Sequence, residues 1–156
     1  MGKPLEIHEM PGHLIRRMNQ IAVSVFDEKM KLCGIDLTPV QFAALSAINA
    51  SPGIDQASLA GEIAYDRVTI GGVLSRLEKK CFVDRKTAIQ DRRSRELFLT
   101  ADGREVLERA LPLVREVQDI ILAGLDKREK QIFVELLAKA TRHSNKLSRA
   151  PLLAVV

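Results

Sequence analysis

Apolar residues recur at three- and four-residue steps through Leu14, Met18, Ile21, Val25 and Leu32, and Ile15, Ala22 and Phe26 widen the stripe. That period is helical, and Pro11 and Gly34 bound an amphipathic helix over 11–33. Residues 1–10 read as an irregular arm. Thr38-Pro39-Val40-Gln41 is a second helix start, with Thr38 as cap, Pro39 in the first position and Gln41 completing a capping box. The helix that follows, QFAALSAINA, is apolar nearly all round, which predicts burial. Ser51-Pro52-Gly53 breaks it. Asp55 caps a short helix, QASLAGEI. Tyr65 and Asp66 form a tight turn, and Asp66 caps a longer helix, Arg67 to Lys80. Two short helices joined by a tight turn make a helix-turn-helix.

After Lys80 the pattern changes. Phe82-Val83 opens a β-like run through Arg85-Lys86, and Glu96-Leu97-Phe98-Leu99-Thr100 alternates with period two as its return strand. The residues between are polar and basic, which predicts a hairpin wing. Thr100 caps a further helix that ends near Gly124, and Pro112 inside it predicts a kink. Asp126 with Glu129 caps a last helix ending near Leu147. The tail, APLLAVV, is apolar and is expected to be either frayed or packed in a dimer. The fold class expected is mainly α with a small β-wing: a winged helix-turn-helix over 38–103, flanked by helices at 11–33 and 104–147, in one domain over 1–156. The first and last helices carry wide apolar faces that need cover. Homodimerisation through them would also set two reading helices on one duplex.

Charge sharpens this picture. Net charge is +4, and between Asp66 and Gly103 Lys and Arg outnumber Asp and Glu nine to six. A positive field over a helix and hairpin suits a polyanion. Two cysteines form no disulfide framework, and no apolar run reaches the ~20 residues of a membrane helix, so a reducing cytoplasm is expected, with no membrane partner. Three histidines and two cysteines lack metal-ligand spacing, and no nucleophile–base set or phosphate loop is present. The sequence therefore supports neither an enzyme nor a cofactor or metal.

Several stretches together resemble one family. These are Leu59-Ala60, Asp66-Arg67-x-Thr69, Arg76-Leu77-Glu78-Lys79 and, above all, Asp91-Arg92-Arg93-Ser94-x-x-Leu97-x-Leu99-Thr100-x-x-Gly103. They look like the MarR-type (multiple antibiotic resistance regulator) winged-helix repressors, over about residues 11–147. The resemblance implies an obligate homodimer that binds a palindromic double-stranded operator and is released by a small ligand, commonly a phenolic or aromatic acid.

On this reading the DNA-binding residues are Arg67, Val68, Thr69, Gly71, Ser75, Arg76, Arg92, Arg93 and Arg95. Arg67 can bind guanine in bidentate fashion, and Thr69 can reach a phosphate or a thymine methyl. Arg76 is either a phosphate contact or a structural ion pair. The family pattern makes Arg93 the minor-groove inserter, and Asp91 orients a neighbouring Arg. Gly71 and Gly72 depart from the family's polar pair. Two mid-helix glycines cost about 2 kcal/mol against Ala, which calls either for close backbone approach to DNA or a neighbour, or for a tight helix crossing.

His8, His13, Arg16 and Arg17 cluster near the start of the first helix, which in the family borders the effector pocket. Phe42 and Tyr65 either line that pocket or pack in the core. HEMPGHLIRR resembles a subgroup tied to aromatic-acid catabolism, which implies a benzoate-like or hydroxypyridine-carboxylate acid, or its CoA thioester. Cys81 stands where the family has the Gly that ends the reading helix, and is expected to be a buried, inert thiol in a strained left-handed position. The alternatives are a redox regulator working through Cys81 or Cys33, and an architectural DNA binder with no effector.

Overall fold

The computed structural model describes residues 6–87 and 95–153. The elements follow the expected order. Helix α1 spans Pro11–Leu32, α2 Pro39–Ala50, α3 Gln56–Glu62 and α4 Ile70–Lys79. Strands β1 (Val83–Thr87) and β2 (Arg95–Leu99) precede α5 (Ala101–Ile121) and α6 (Lys127–Ser144). Within the arm, Glu6–Glu9 form a turn of 3-10 helix where irregular chain was expected.

Local chemistry sets the boundaries. The Thr38 hydroxyl accepts from Gln41 N, and the Gln41 side chain accepts from Thr38 N in return. Asp126 and Glu129 form the same reciprocal box at α6. Asp55 caps α3 through Ala57 N, Ser58 N and the Ser58 hydroxyl. Burial alone would raise the Asp55 pKa, but these hydrogen bonds to its charged form outweigh it and bring the pKa down. A depressed carboxylate pKa adds stability above the unfolded-state value, and that stability is lost as pH falls through the folded-state value. Asp55→Ala is thus expected to lose about 1 kcal/mol at neutral pH by urea denaturation, and the deficit should shrink in acid. A deficit that is constant with pH would count against the cap.

The core lies in the lobe made by α2, α3, α4 and the wing. Leu45, Ile48, Leu59, Ile70, Leu74, Leu77 and Leu97 are fully buried there, joined by Phe26 and Met30 from the last turns of α1. The strands pair antiparallel with Val83 opposite Leu99 and Thr87 opposite Arg95. The return strand starts and ends one residue earlier than expected, because Thr100 serves as the cap of α5. β2 is also held from its other edge: Gly53 N donates to Leu97 O, and Leu97 N donates to Ile54 O. The wing is therefore fixed to the turn before α3.

The flanking helices contrast with this lobe. α5 runs without a break through Pro112 to Ile121 and packs along α1. α6 has no buried residue. Leu14, Ile15 and Ile21 on α1, Ile120 on α5, and Ile132, Leu136 and Leu137 on α6 are exposed in the single chain. The tail through Leu153, expected to be frayed or packed in a dimer, instead folds back on its own chain. Asn145 clasps Leu152 by two hydrogen bonds, and Leu153 N donates to Gly61 O at the end of α3.

Two expectations are corrected. The reading helix begins at Ile70, because the Asp66 carboxylate takes Val68 N and Thr69 N and holds 67–69 as a turn. Cys81 does have positive φ, at 60°, but its thiol is exposed, as is that of Cys33.

Candidate nucleic-acid interface and effector site

Asp66 builds the reading edge. Its carboxylate gathers Val68 N, Thr69 N and the Thr69 hydroxyl, while its carbonyl accepts Ile70 N. This pushes the 67–69 turn out of the lobe. Arg67, Val68 and Thr69 are all exposed, and Val68 is 89% exposed, an extreme for an apolar side chain in a folded lobe. Ser75 and Arg76 continue the exposed edge along α4, whose other face buries Ile70, Val73, Leu74 and Leu77. Arg76 makes no ion pair among the described residues.

The two glycines of α4 are not at a tight crossing. A Cβ on Gly72 would meet nothing within 4 Å, and one on Gly71 would make ordinary contact with the Gln56 side chain at 3.5 Å. Packing among the described residues does not require them.

The wing stands beside this edge. Arg95 Nη1 donates to Thr87 Oγ1 across the strands, and Lys86 Nζ lies 5.0 Å over the Phe98 ring. Arg85 Nε pairs with Glu78 at 2.9 Å, tying β1 to α4. Arg92 and Arg93 lie outside the described residues, as does Asp91.

Sequence reasoning missed Lys80. At the end of α4 its ammonium donates to Asp36 O at 2.7 Å and to the Gln41 side chain at 3.2 Å, and pairs with Asp36 at 2.8 Å. It thereby locks the reading helix to the loop between α1 and α2. Gln41 is the one buried polar side chain of the core among the described residues, so its oxygen needs such donors. Only the apolar surroundings of Gln41 hinted at this in the sequence.

Of the six effector candidates, His8, His13 and Arg16 come together. The His8 and His13 rings meet edge to face at 5.4 Å, and Arg16, one turn beyond His13, donates to Gln20 at 2.9 Å. The His13 pKa is lowered, first by partial desolvation and then by the charges of Arg16, His8 and Arg17. Both causes favour the neutral imidazole. Arg17 is exposed on the neighbouring position of α1. Phe42 instead packs on Phe26, 6.4 Å between centroids, and Tyr65 sits at the α3–α4 turn beside Arg67. Neither joins the histidine cluster within one chain.

Comparison with known proteins fits this geometry. Residues 37–94 match the model of the MarR family. The transcriptional regulator HosA of Escherichia coli O157:H7 is 35% identical over 104 residues, 67% of this chain and 77% of HosA. The transcriptional repressor CouR, solved bound to a 23-mer DNA duplex, superposes with a TM-score of 0.81 at 28% identity, covering 90% of this chain and 99% of CouR. BpsR of Bordetella bronchiseptica, solved to explain regulation of its DNA binding by 6-hydroxynicotinic acid, also gives 0.81, at 29% identity over 89% of this chain and 98% of BpsR.

Proposed function

The chain belongs to the MarR family and is a DNA-binding transcriptional repressor of winged-helix type, and from that premise we propose that it acts as a homodimer on a palindromic operator and is released by a small aromatic acid. The observation that carries the DNA part is the exposed edge Arg67-Val68-Thr69, with Ser75 and Arg76 following it along α4. Arg67 supplies a bidentate donor, Val68 an apolar contact for a thymine methyl, and Arg76 a phosphate contact. Gly71 and Gly72 let the helix backbone approach the groove closely. Arg92, Arg93 and Arg95 extend the interface to the neighbouring minor groove. Homodimerisation covers the apolar faces of α1 and α6 and brings two such edges to one duplex.

The effector part rests on the start of α1. A guanidinium holds a carboxylate by two parallel hydrogen bonds, and the neutral His13 can donate to or accept from a ring hydroxyl or nitrogen. Hydroxypyridine-carboxylates and hydroxybenzoates carry both groups, and BpsR responds to one of them. Desolvation is the first cause of the lowered His13 pKa, and the charges of Arg16, His8 and Arg17 come after it. An anion beside His13 would offset those charges, so the complex takes up a proton more readily than the free protein. Effector affinity should therefore rise as pH falls toward the imidazole range.

Thermal-shift titration with 6-hydroxynicotinate, benzoate and hydroxybenzoates is the direct experiment, since a true effector stabilises by mass action. Arg16→Ala is expected to raise the effector midpoint by roughly tenfold or more while leaving operator affinity unchanged. An unchanged midpoint would remove Arg16 from the site. No stabilisation by any of these acids would favour an architectural binder.

A further inference from the structure

The basic hairpin is not the chain's only positive segment. After Glu135 the chain has no acidic residue, yet it carries Lys139, Arg142, Lys146 and Arg149. All four side chains are exposed. The fold brings the end of this segment back to the reading edge. Asn145 Nδ2 donates to Leu152 O and Asn145 Oδ1 accepts Leu152 N, both at 2.8 Å, closing a loop that displays Arg149. Leu153 N then donates to Gly61 O at 2.9 Å. The Leu153 side chain lies over Gly61, where an added Cβ would stand 2.2 Å from Leu153 Cδ1. This strap roofs a cavity of about 320 Å³ whose walls include Tyr65, Asp66, Arg67 and Arg149. Two arginines thus face one cleft at the entry to the reading helix.

We propose that the strap 145–153 is a third DNA-contacting element, in which Arg149 holds a backbone phosphate beside the contact made by Arg67. This rests on the reading of Arg67 as part of the DNA interface. Asp66 on the cleft wall carries one negative charge, which the two guanidinium groups of Arg67 and Arg149 outweigh. The contact is to the backbone, so it adds affinity without sequence preference.

The test is binding of the full-length protein to a duplex selected from a random pool by the wild type, and to an unrelated duplex, across a series of salt concentrations. Arg149→Gln is expected to weaken both by a similar factor, roughly fivefold, and to make log K against log salt shallower by about 0.9. Arg149→Lys should keep the slope. Gly61→Ala, which displaces Leu153 while favouring the helix, should reproduce the Arg149→Gln loss, and the double variant should lose no more than either. Wild-type affinity and slope in Arg149→Gln, on a duplex that Arg67→Ala no longer binds well, would overturn the strap and leave the reading edge intact. If Arg67→Ala also bound normally, the reading edge itself would fail.

Discussion

Gly103→Ala is expected to destabilise the fold by about 3 kcal/mol or more, the upper range for overpacking, although the same change in an ordinary helix stabilises by up to about 1 kcal/mol. The reversal comes from the joint between α4, the wing and α5. α4 ends in a Schellman arrangement: Cys81 N donates to Glu78 O, and Phe82 N to Leu77 O. Thr100, the cap of α5, then takes hold of this end. Its hydroxyl donates to Cys81 O at 2.6 Å, its N donates to Phe82 O at 3.1 Å, and Gly103 N donates back to its hydroxyl at 2.9 Å. The Phe82 carbonyl is thereby pressed onto Gly103, where an added Cβ would sit 2.0 Å from Phe82 O and 2.9 Å from its carbon. Both sides are backbone, so no side chain can yield. The joint must open, and the Thr100 bonds go with it. Gly72→Ala is the matched control, since its Cβ enters open space. Urea denaturation of the two variants should move in opposite directions, and a Gly103→Ala midpoint at or above wild type would refute the joint.

That joint gives a physical meaning to the Thr-x-x-Gly at the end of the wing pattern, which the sequence displayed as a spacing only. The parts legible in the chain were those written within four residues of one another. Thr38 with Gln41, Asp126 with Glu129, and Asp55 with Ser58 are caps whose partners are local, and the structure has each of them. The alternation through Leu97 and Leu99 likewise marks the two buried positions of β2. What was not legible depends on distant partners. The apolar tail was visible, but not that Gly61 leaves the space Leu153 fills. Lys80 was one more cation at a helix end until Asp36 and Gln41 were found within reach. Cys81 was expected to be a buried, inert thiol, whereas it is exposed at a left-handed backbone position. The candidate effector residues split for the same reason: His8 in the 3-10 turn lies just before His13 and Arg16 at the start of α1, while Phe42 and Tyr65 lie far along the chain.

Replacing Ile132 and Leu136 together with Glu is expected to convert the protein to a monomer and to lower operator affinity by roughly 100-fold or more, the loss that follows when two linked contacts become independent. Both side chains lie on one face of α6, one turn apart, and Leu136 is 60% exposed. No residue of α6 is buried in the single chain and both side chains are exposed, so the substitutions remove little packing within the chain. The lobe that holds the reading helix draws its core from other elements and should keep its helical signal and its own unfolding transition. α1 presents a matching need, with Ile15 59% exposed near the start of the same helix that carries His13 and Arg16. In a dimer formed through these faces the candidate effector cluster would lie beside the interface, and the spacing of the two reading edges would depend on how α1, α5 and α6 pack. A ligand that pulls on Arg16 can then change the separation of two edges that must fall about one helical turn of DNA apart, roughly 34 Å. Light scattering gives the mass, and anisotropy with the wild-type duplex gives the affinity. A variant that stays dimeric would sink the assignment of α6 to the interface. A monomer that still bound the operator at wild-type affinity would show that one edge suffices, and the palindromic arrangement would have to be given up.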